Sequence, residues 1–597
     1  MNFDKKTMMA FLFIGLIIIL TQSDWYKKTF FPELYKQQKL RKEHILENKA
    51  ITPTDSVNIE KSNIDTILVN DKNSDETVVE KVQYEELLDG VENEVKIETE
   101  LYSAVLSNIG GRIKSFRLKN YLTKDSTFVE LIGKQGKENL DIAFENEEDE
   151  QVYTNRYFFK LAGNSATIRQ GKSHQIKYVL DFGNERKIEK IYTFYGHRYD
   201  IDLEVNFLNF GTIISRPYYQ IRWGSGLAST EQSLKDDMMF AKAYAMIGEE
   251  VQKYDVKKKS EEEKAQEYGE DNVKWAGQRT KYFSAVIIPE DEKAHKVIFG
   301  GHKEKIEEQN NFLKVFSVSL EMPFERATSL NKNKFKIFIG PLDYELVKSY
   351  NIGLDKMMNW GWAIIKPFSM AVLWSLKKLH GIIPNYGLVI IIFSILVKIL
   401  LYPLTHKSYQ SMHAMQALQP KVNALKEKYG NDQKRLNEET MKLYKTEGVN
   451  PVGGCLPMFF QMPILYSLFI IFKSTIELRA ASFVWWINDL SMPDTIFTLG
   501  FNIPMYGNKV NVLPIIMGVT MLIQQKMSMK DPKQKAMVYM MPAFFTLLFN
   551  QFPSGLNLYY SLFNVFSIFQ QKFVADKQSQ VATIAEPKKQ NIKKRKK

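Results

Sequence analysis

Lys398 stands inside an unbroken apolar run, Leu388–Leu404, with Ser394 four residues before it. On a helix that spacing puts both side chains on one face. A serine beside a lysine can act as nucleophile and base, the chemistry of a Ser–Lys intramembrane hydrolase. No oxyanion donors or matching hydrolase motif accompany the pair. A lysine in an apolar run has another use. Its charge must face protein or a water-filled cavity, and without a partner it attracts acidic groups that pass by. Glu477 and Asp489 fall outside the apolar runs, so no acidic partner is evident. Snorkelling to the inner interface, roughly six residues away, is the competing role.

The polar residues that could share this site recur at helical spacing. Tyr402 and Thr405 follow Lys398 by four and seven positions. Asn557, Tyr560, Ser561, Asn564 and Gln571 fall at offsets 0, 3, 4, 7 and 14. Thr520 and Gln524 are four apart with Gln525 beside them, and Thr546 and Asn550 are four apart. Each set draws a polar stripe on an apolar helix. Interhelical hydrogen bonding would account for any one of them. Packed together, the stripes would line a hydrated groove.

The elements that must hold these residues are membrane spans. Hydropathy marks Tyr386–Leu404, Pro457–Phe472, Val512–Met527, Ala536–Asn550 and Leu556–Phe573. A further run, Thr7–Tyr26, begins after Lys5 and Lys6 and ends on Trp25 and Tyr26. No small-x-small cleavage site follows it, so an uncleaved anchor is expected, with a cleaved signal as the alternative. Loop 405–450 is rich in lysine, as are loop 528–535 and the tail ending Lys593-Lys594-Arg595-Lys596-Lys597, whereas loop 474–511 carries only Arg479 and Lys509. The positive-inside rule then gives six spans with both termini cytoplasmic. Met357–His380 mixes Trp360, Trp362 and Trp374 with Lys366, Lys377 and Lys378, as suits a helix in the outer interface, bent or broken at Pro367. A further full span there would invert the topology. Segment 406–447 reads as a basic helical hairpin turning at Gly430-Asn431-Asp432, with Pro420 dividing its first arm.

Between anchor and core the pattern changes. Asp55–Glu100 holds 14 acidic and 4 basic residues with little periodicity, which reads as a flexible linker. Tyr199–Phe207 then alternates apolar and polar strictly, the mark of a half-buried strand. Similar runs recur at 101–106, 157–161, 176–182, 188–195, 282–288, 312–320 and 335–339, which predicts an antiparallel sandwich. The charge-rich stretch Val251–Asn272 is expected to interrupt it as a helical or loose insertion. The chain of 597 residues is 45% hydrophobic and carries a net charge of +12, but the segregation matters more than the mean: it excludes a disordered chain and a purely soluble enzyme. The single cysteine, Cys455, excludes an intramolecular disulfide, and with no HExxH and no Gly-rich phosphate loop no cofactor or metal is expected.

Several stretches of the core resemble the YidC family of membrane protein insertases. They are Tyr402-Pro403-Leu404-Thr405, the run Asn450–Pro457 with Gln461-Met462-Pro463, Ser474–Arg479, Ile487–Ser491, Pro514–Thr520 and Phe552–Leu556 with Tyr559-Tyr560. Ser107–Ile113 and Ile339–Tyr344 match more weakly the family's exported domain. The resemblance implies a polytopic α-helical membrane protein with six transmembrane helices, a five-helix insertase core and an exported all-β supersandwich domain. Its expected parts are an anchor (1–28), an acidic linker (29–94), the periplasmic domain (95–350), an interfacial helix (351–383), the core (384–575) with hairpin 406–447, and a basic cytoplasmic tail (576–597).

The implied function is insertion and folding of inner-membrane proteins, alone or with the Sec translocon, through a positively charged groove open to cytoplasm and lipid. Lys398, Ser394, Tyr402, Gln524, Gln525, Asn550, Asn557, Tyr560 and Asn564 are the expected groove residues. Most members carry arginine where this chain has Lys398, which keeps the charge but loses the planar fork. Newly made membrane proteins and the lipid bilayer are the implied partners, with the ribosome and signal recognition pathway candidates at the hairpin and tail. A small-molecule transporter is the remaining alternative, against which stands the lack of an evident inverted repeat.

Overall fold

The computed structural model describes residues 84–585 apart from 134–135, 137, 257–264, 270–271, 307–310, 430–431, 451–455, 504–505 and 529–534. The expected anchor, residues 29–83 of the linker and 586–597 of the tail lie outside the described residues.

Alternation makes the exported strands. Lys187–Tyr195 and Asp200–Leu208 pair antiparallel inside a nine-stranded sheet. Their inward side chains Ile188, Tyr192, Phe194, Ile201, Leu203, Val205 and Phe207 are at most 1% exposed. A six-stranded antiparallel sheet, which includes Tyr218–Trp223 and Asn311–Pro323, packs on its face. The Phe207 and Tyr219 rings meet at 4.6 Å, and Tyr219 Oη donates to Asn333 Oδ1 at 2.8 Å. A third sheet of five strands carries Tyr102–Ser107 and Arg112–Leu122. Within Val251–Asn272 the described residues are not helical. Glu250–Tyr254 and Gln266–Tyr268 are edge strands of the two large sheets, and charge on an edge strand discourages pairing with other chains.

One inward position breaks the apolar pattern. Lys190 is fully buried, and its ammonium donates to the Gly110 and Leu140 carbonyls at 2.7 Å each. Gly110 and Gly111 hold φ of +71° and +54°, left-handed values that glycine adopts without strain. The Ser107–Ile113 turn is thus locked onto the large sheet, with Tyr192 Oη donating to Gly111 O at 2.7 Å.

Ten α-helices are described: α1 (Leu234–Phe240), α2 (Tyr344–Ser349), α3 (Lys366–His380), α4 (Tyr386–Ala417), α5 (Gln419–Tyr429), α6 (Gln433–Thr446), α7 (Leu456–Ser474), α8 (Val512–Ser528), α9 (Lys535–Phe549) and α10 (Ser554–Ala585). The expected helix over Met357–His380 is shorter, because Pro367 sits in its first turn, where the missing N–H costs nothing. Pro367 therefore starts α3 rather than breaking it. Among the described residues, α4 alone is long and apolar enough to cross a bilayer unaided, while Val512–Ser528 and Val538–Phe549 are shorter apolar helices.

Charged side chains join the helical part to the β domain. Arg479, just after α7, donates from Nε to Glu231 at 2.8 Å and from Nη1 to Leu122 O at 2.9 Å, with the Phe283 ring 5.4 Å away. Lys473 reaches Asp236 at 3.3 Å. Lys377 of α3 lies 3.3 Å from both Asp343 and Glu477, and burial pushes the Glu477 carboxyl up against that pull. The segment Ser474–Arg479 is thereby the seam between the two parts.

Candidate functional site

Helix α4 begins where the Asn385 side chain accepts from Leu388 N at 3.1 Å. Its apolar outer face leaves Ile399 64% and Leu400 73% exposed, as a lipid-facing surface requires. Its other face carries Lys398, only 7% exposed. The ammonium donates to Ser567 Oγ of α10 at 2.7 Å and lies 4.5 Å from the Phe563 ring centre and 5.8 Å from that of Tyr409. Ser567 Oγ in turn donates to Phe563 O at 2.8 Å. Lys398 forms no ion pair among the described residues. A desolvated cation over aromatic faces gains about 2 kcal/mol, which does not replace water around an ammonium.

Polar contacts continue from Lys398 along the same helices. Thr405 and Gln570 exchange hydrogen bonds at 3.0 and 3.2 Å. Ser528 of α8 donates to Gln571 Oε1 at 3.1 Å, and Gln416 Nε2 donates to Ser528 O at 2.8 Å. Asn564 donates to Thr520 Oγ1 at 3.3 Å, tying α10 to α8. Gln525 Oε1 and Gln571 Nε2 are buried without a partner among the described residues. Together α4, α8 and α10 enclose a polar seam.

The structure brings only part of the expected set to this seam. Lys398 and Asn564 are in it, Gln524 supplies its carbonyl to Ser528 at 3.0 Å, and Gln525 is the unsatisfied neighbour. Ser394 is buried on the same helix but donates to Ile390 O at 2.7 Å, so it is not paired with Lys398 as a hydrolase dyad would require. Tyr402 is 42% exposed and stacks on His406 at 5.5 Å, facing away from the packed interior. Asn550 and Asn557 belong to the opposite end. Asn550 Nδ2 donates to Tyr506 O at 2.9 Å and Lys509 O at 2.7 Å, and Asn557 Nδ2 donates to Phe549 O at 3.2 Å. Tyr560 packs on Phe549 and Tyr559. These three serve packing and helix ends because their depth along the helices differs from that of Lys398. Ser567 and Gln570 are the partners missed. Ser567 sits at offset 10 from Asn557, where the stripe through 557, 560, 564 and 571 already passes.

Elsewhere in the bundle α10 approaches α7 closely at Gly555, and α8 approaches α9 closely at Gly518. A Cβ at Gly555 would come within 2.7 Å of Phe472, and one at Gly518 within 2.0 Å of Thr546 Oγ1. Small residues at such crossings let membrane helices approach.

A helical bundle with lipid-facing apolar sides and a charged seam, joined to a large all-β domain, defines an integral membrane protein with a water-exposed domain. A family model described as the 60Kd inner membrane protein matches residues 378–581, and one described as the YidC periplasmic domain matches 94–370. The chain is 36% identical over 492 residues to the membrane protein insertase YidC of Pelodictyon phaeoclathratiforme, covering 81% of this chain and 83% of that one. It is 37% identical to that of Chlorobium limicola over the same shares. A solved structure of an active YidC insertase aligns over 81% of this chain and 92% of that one, at 19% identity and a TM-score of 0.34.

The chain belongs to the YidC family of membrane protein insertases, which are not enzymes. It is an inner-membrane protein with a periplasmic β-rich domain and a helical core. The hydrolase and small-molecule transporter alternatives fall with this assignment.

Proposed function

We propose that this chain inserts newly made membrane proteins by admitting a client's polar N-terminal tail or loop into the seam between α4, α8 and α10. The observation that carries the reading is Lys398, a buried charge with one hydroxyl partner and no acid among the described residues. A client carboxylate at about 4 Å from such a charge gains roughly 4 kcal/mol at an effective dielectric near 20. Gln525 and Gln571, each with an unsatisfied polar atom, supply hydrogen bonds to a polar guest. The client's apolar segment then slides into lipid past α7 and α9. Its burial at about 25 cal/mol per Å² supplies the driving force. The membrane potential adds about 2.3 kcal/mol per 100 mV for each negative charge exported.

In this reading residues 1–28 anchor the chain, 29–94 link, 95–350 form the exported domain, 351–383 lie in the interface and 384–575 insert clients. Both termini face the cytoplasm, where hairpin 406–447 and tail 576–597 offer basic surface to the ribosome and signal recognition pathway, and the Sec translocon docks laterally for larger clients. The lysines of loop 405–450 support that orientation.

The test is reconstitution of the full chain into liposomes with a single-span client bearing an acidic N-tail, scored by protease protection. Wild type and Lys398→Arg should insert within about threefold of each other, because both keep a cation. Lys398→Ala inserting as well as wild type would sink the charged-seam mechanism for that client.

A further inference from the structure

The segment between α7 and α8, a plain loop by sequence, folds as a β-hairpin, with Thr495–Ile503 antiparallel to Gly507–Asn511. Its cross-strand pairs sort the two faces. Phe497 lies opposite Val510 and Thr498 opposite Lys509. Opposed residues share a face and successive residues alternate, so these two pairs set an apolar side against a polar one. Ile496, Phe497 and Phe501 are 50%, 52% and 65% exposed, and Lys509 is the one charged residue from Thr495 to Asn511. A two-stranded ribbon is at best marginally stable in water, and large exposed apolar side chains mark a contact surface.

Its anchorage says what covers that surface. Asp494 Oδ2 accepts from Val512 N at 3.1 Å and Leu513 N at 2.8 Å, capping α8. Asn550, at the end of α9, holds the Tyr506 and Lys509 carbonyls, and Asn511 Nδ2 donates back to Asn550 Oδ1 at 3.0 Å. The hairpin is therefore fixed to the ends of α8 and α9 on the side of the β domain, since Arg479 upstream of it already contacts that domain. Helix α8 has 17 residues and α9 has 15. At 1.5 Å per residue their described residues span about 26 and 22 Å, against roughly 30 Å for a hydrocarbon core. The apolar helices α8 and α9 both end at the base of the hairpin, which therefore sits at the outer boundary of the bilayer. The exposed apolar face of α8, with Ile515 at 44% and Val519 at 53%, leads up to it.

We infer that the hairpin 495–511 is a lipid-binding element. It lies in the outer-leaflet interface with Phe497 and Val510 toward acyl chains and Thr498 and Lys509 toward head groups. Pairing of its two strands satisfies backbone groups that lipid could not.

Because Cys455 is the one cysteine, a Cys455→Ala background allows single nitroxide labels at Phe497→Cys and Thr498→Cys in the full chain, reconstituted into phosphatidylethanolamine–phosphatidylglycerol liposomes. The label at 497 should collide severalfold more with oxygen than with a water-soluble nickel chelate, and the label at 498 should show the reverse. Nickel access at both positions would place the hairpin in water and overturn the inference. Shielding of the 497 label from both reagents would also overturn it, since protein (a second copy or a client) would then cover the face. Val510→Cys, directly opposite Phe497, provides a second position on that face should the Phe497 variant fail to fold.

Discussion

Lys190 in the β domain and Lys398 in the membrane core are both buried without a carboxylate in hydrogen-bond contact among the described residues, and the two are treated in opposite ways. In the β domain Lys190 is fully buried and gives protons to two backbone carbonyls at 2.7 Å, with the Phe159 ring 5.3 Å away and Asp141 pulling its charge. In the membrane core Lys398 is 7% exposed and has, among the described residues, one hydroxyl, two ring faces and no acid. A charge fully engaged by its own chain is a fixed part of the fold. A charge left under-engaged keeps its field for something else. The contrast separates a structural lysine from a functional one without reference to what either half does.

The largest effect that would test this contrast is on stability. Lys190→Met keeps the side-chain stem but orphans the Gly110 and Leu140 carbonyls and leaves the buried Asp141 with Arg222, 3.5 Å away, as its remaining cation. Breaking a buried charge contact this way costs about 3–5 kcal/mol, so the unfolding transition of the β domain should move down sharply. Insertion measured well below that transition should stay near wild type. Lys398→Ala should do the converse, with insertion of an acid-tailed client falling at least about tenfold, or roughly 1.4 kcal/mol, and thermal unfolding hardly moving. If both variants lost stability alike, the two lysines would be equivalent and the contrast would fail.

A smaller effect concerns pH. Burial holds the Lys190 ammonium down at about 8, whereas the unfolded chain keeps that proton to about 10.5. Between these values the folded state has released a proton that the unfolded state retains, so stability rises with pH there. The contribution is complete above about 10.5 and is lost as pH falls through about 8. Relative to Lys190→Met, wild type should gain up to about 1.4 kcal/mol per pH unit across this window. A constant difference between the two unfolding curves from pH 8 to 10 would show that Lys190 does not titrate there.

The two lysines were not equally legible. Lys398 announced itself because any charge in Leu388–Leu404 is anomalous. Lys190 does not stand out by residue type in a half-polar strand, although it shares the parity of Ile188, Tyr192 and Phe194, all inward. The strands were readable from alternation, and the helical core from hydropathy. Depth was not readable. Asn550 and Asn564 are the same residue type at similar spacing, yet one clamps a hairpin base and the other joins two helices, and only the helix ends decide which. The hairpin was hidden because Thr495–Asn511 has neither a strong turn dipeptide nor unbroken alternation, its register being bulged between Thr498 and Ile503.

The smallest expected effect discriminates best. Ser567 Oγ is the one protein acceptor that Lys398 has among the described residues. Were Lys398 a structural residue like Lys190, Ser567→Ala would strand a buried ammonium and cost about 1–3 kcal/mol of core stability. If the charge instead serves a guest, the hydroxyl only parks it. Its loss then leaves the ammonium freer to meet a client carboxylate. Insertion of an acid-tailed client by Ser567→Ala should therefore stay within about threefold of wild type, less than about 0.7 kcal/mol, and the unfolding midpoint should hardly shift. A marked fall in stability with insertion lost in proportion would move Lys398 into the structural class and leave the neutral polar residues of α8 and α10 to receive the client.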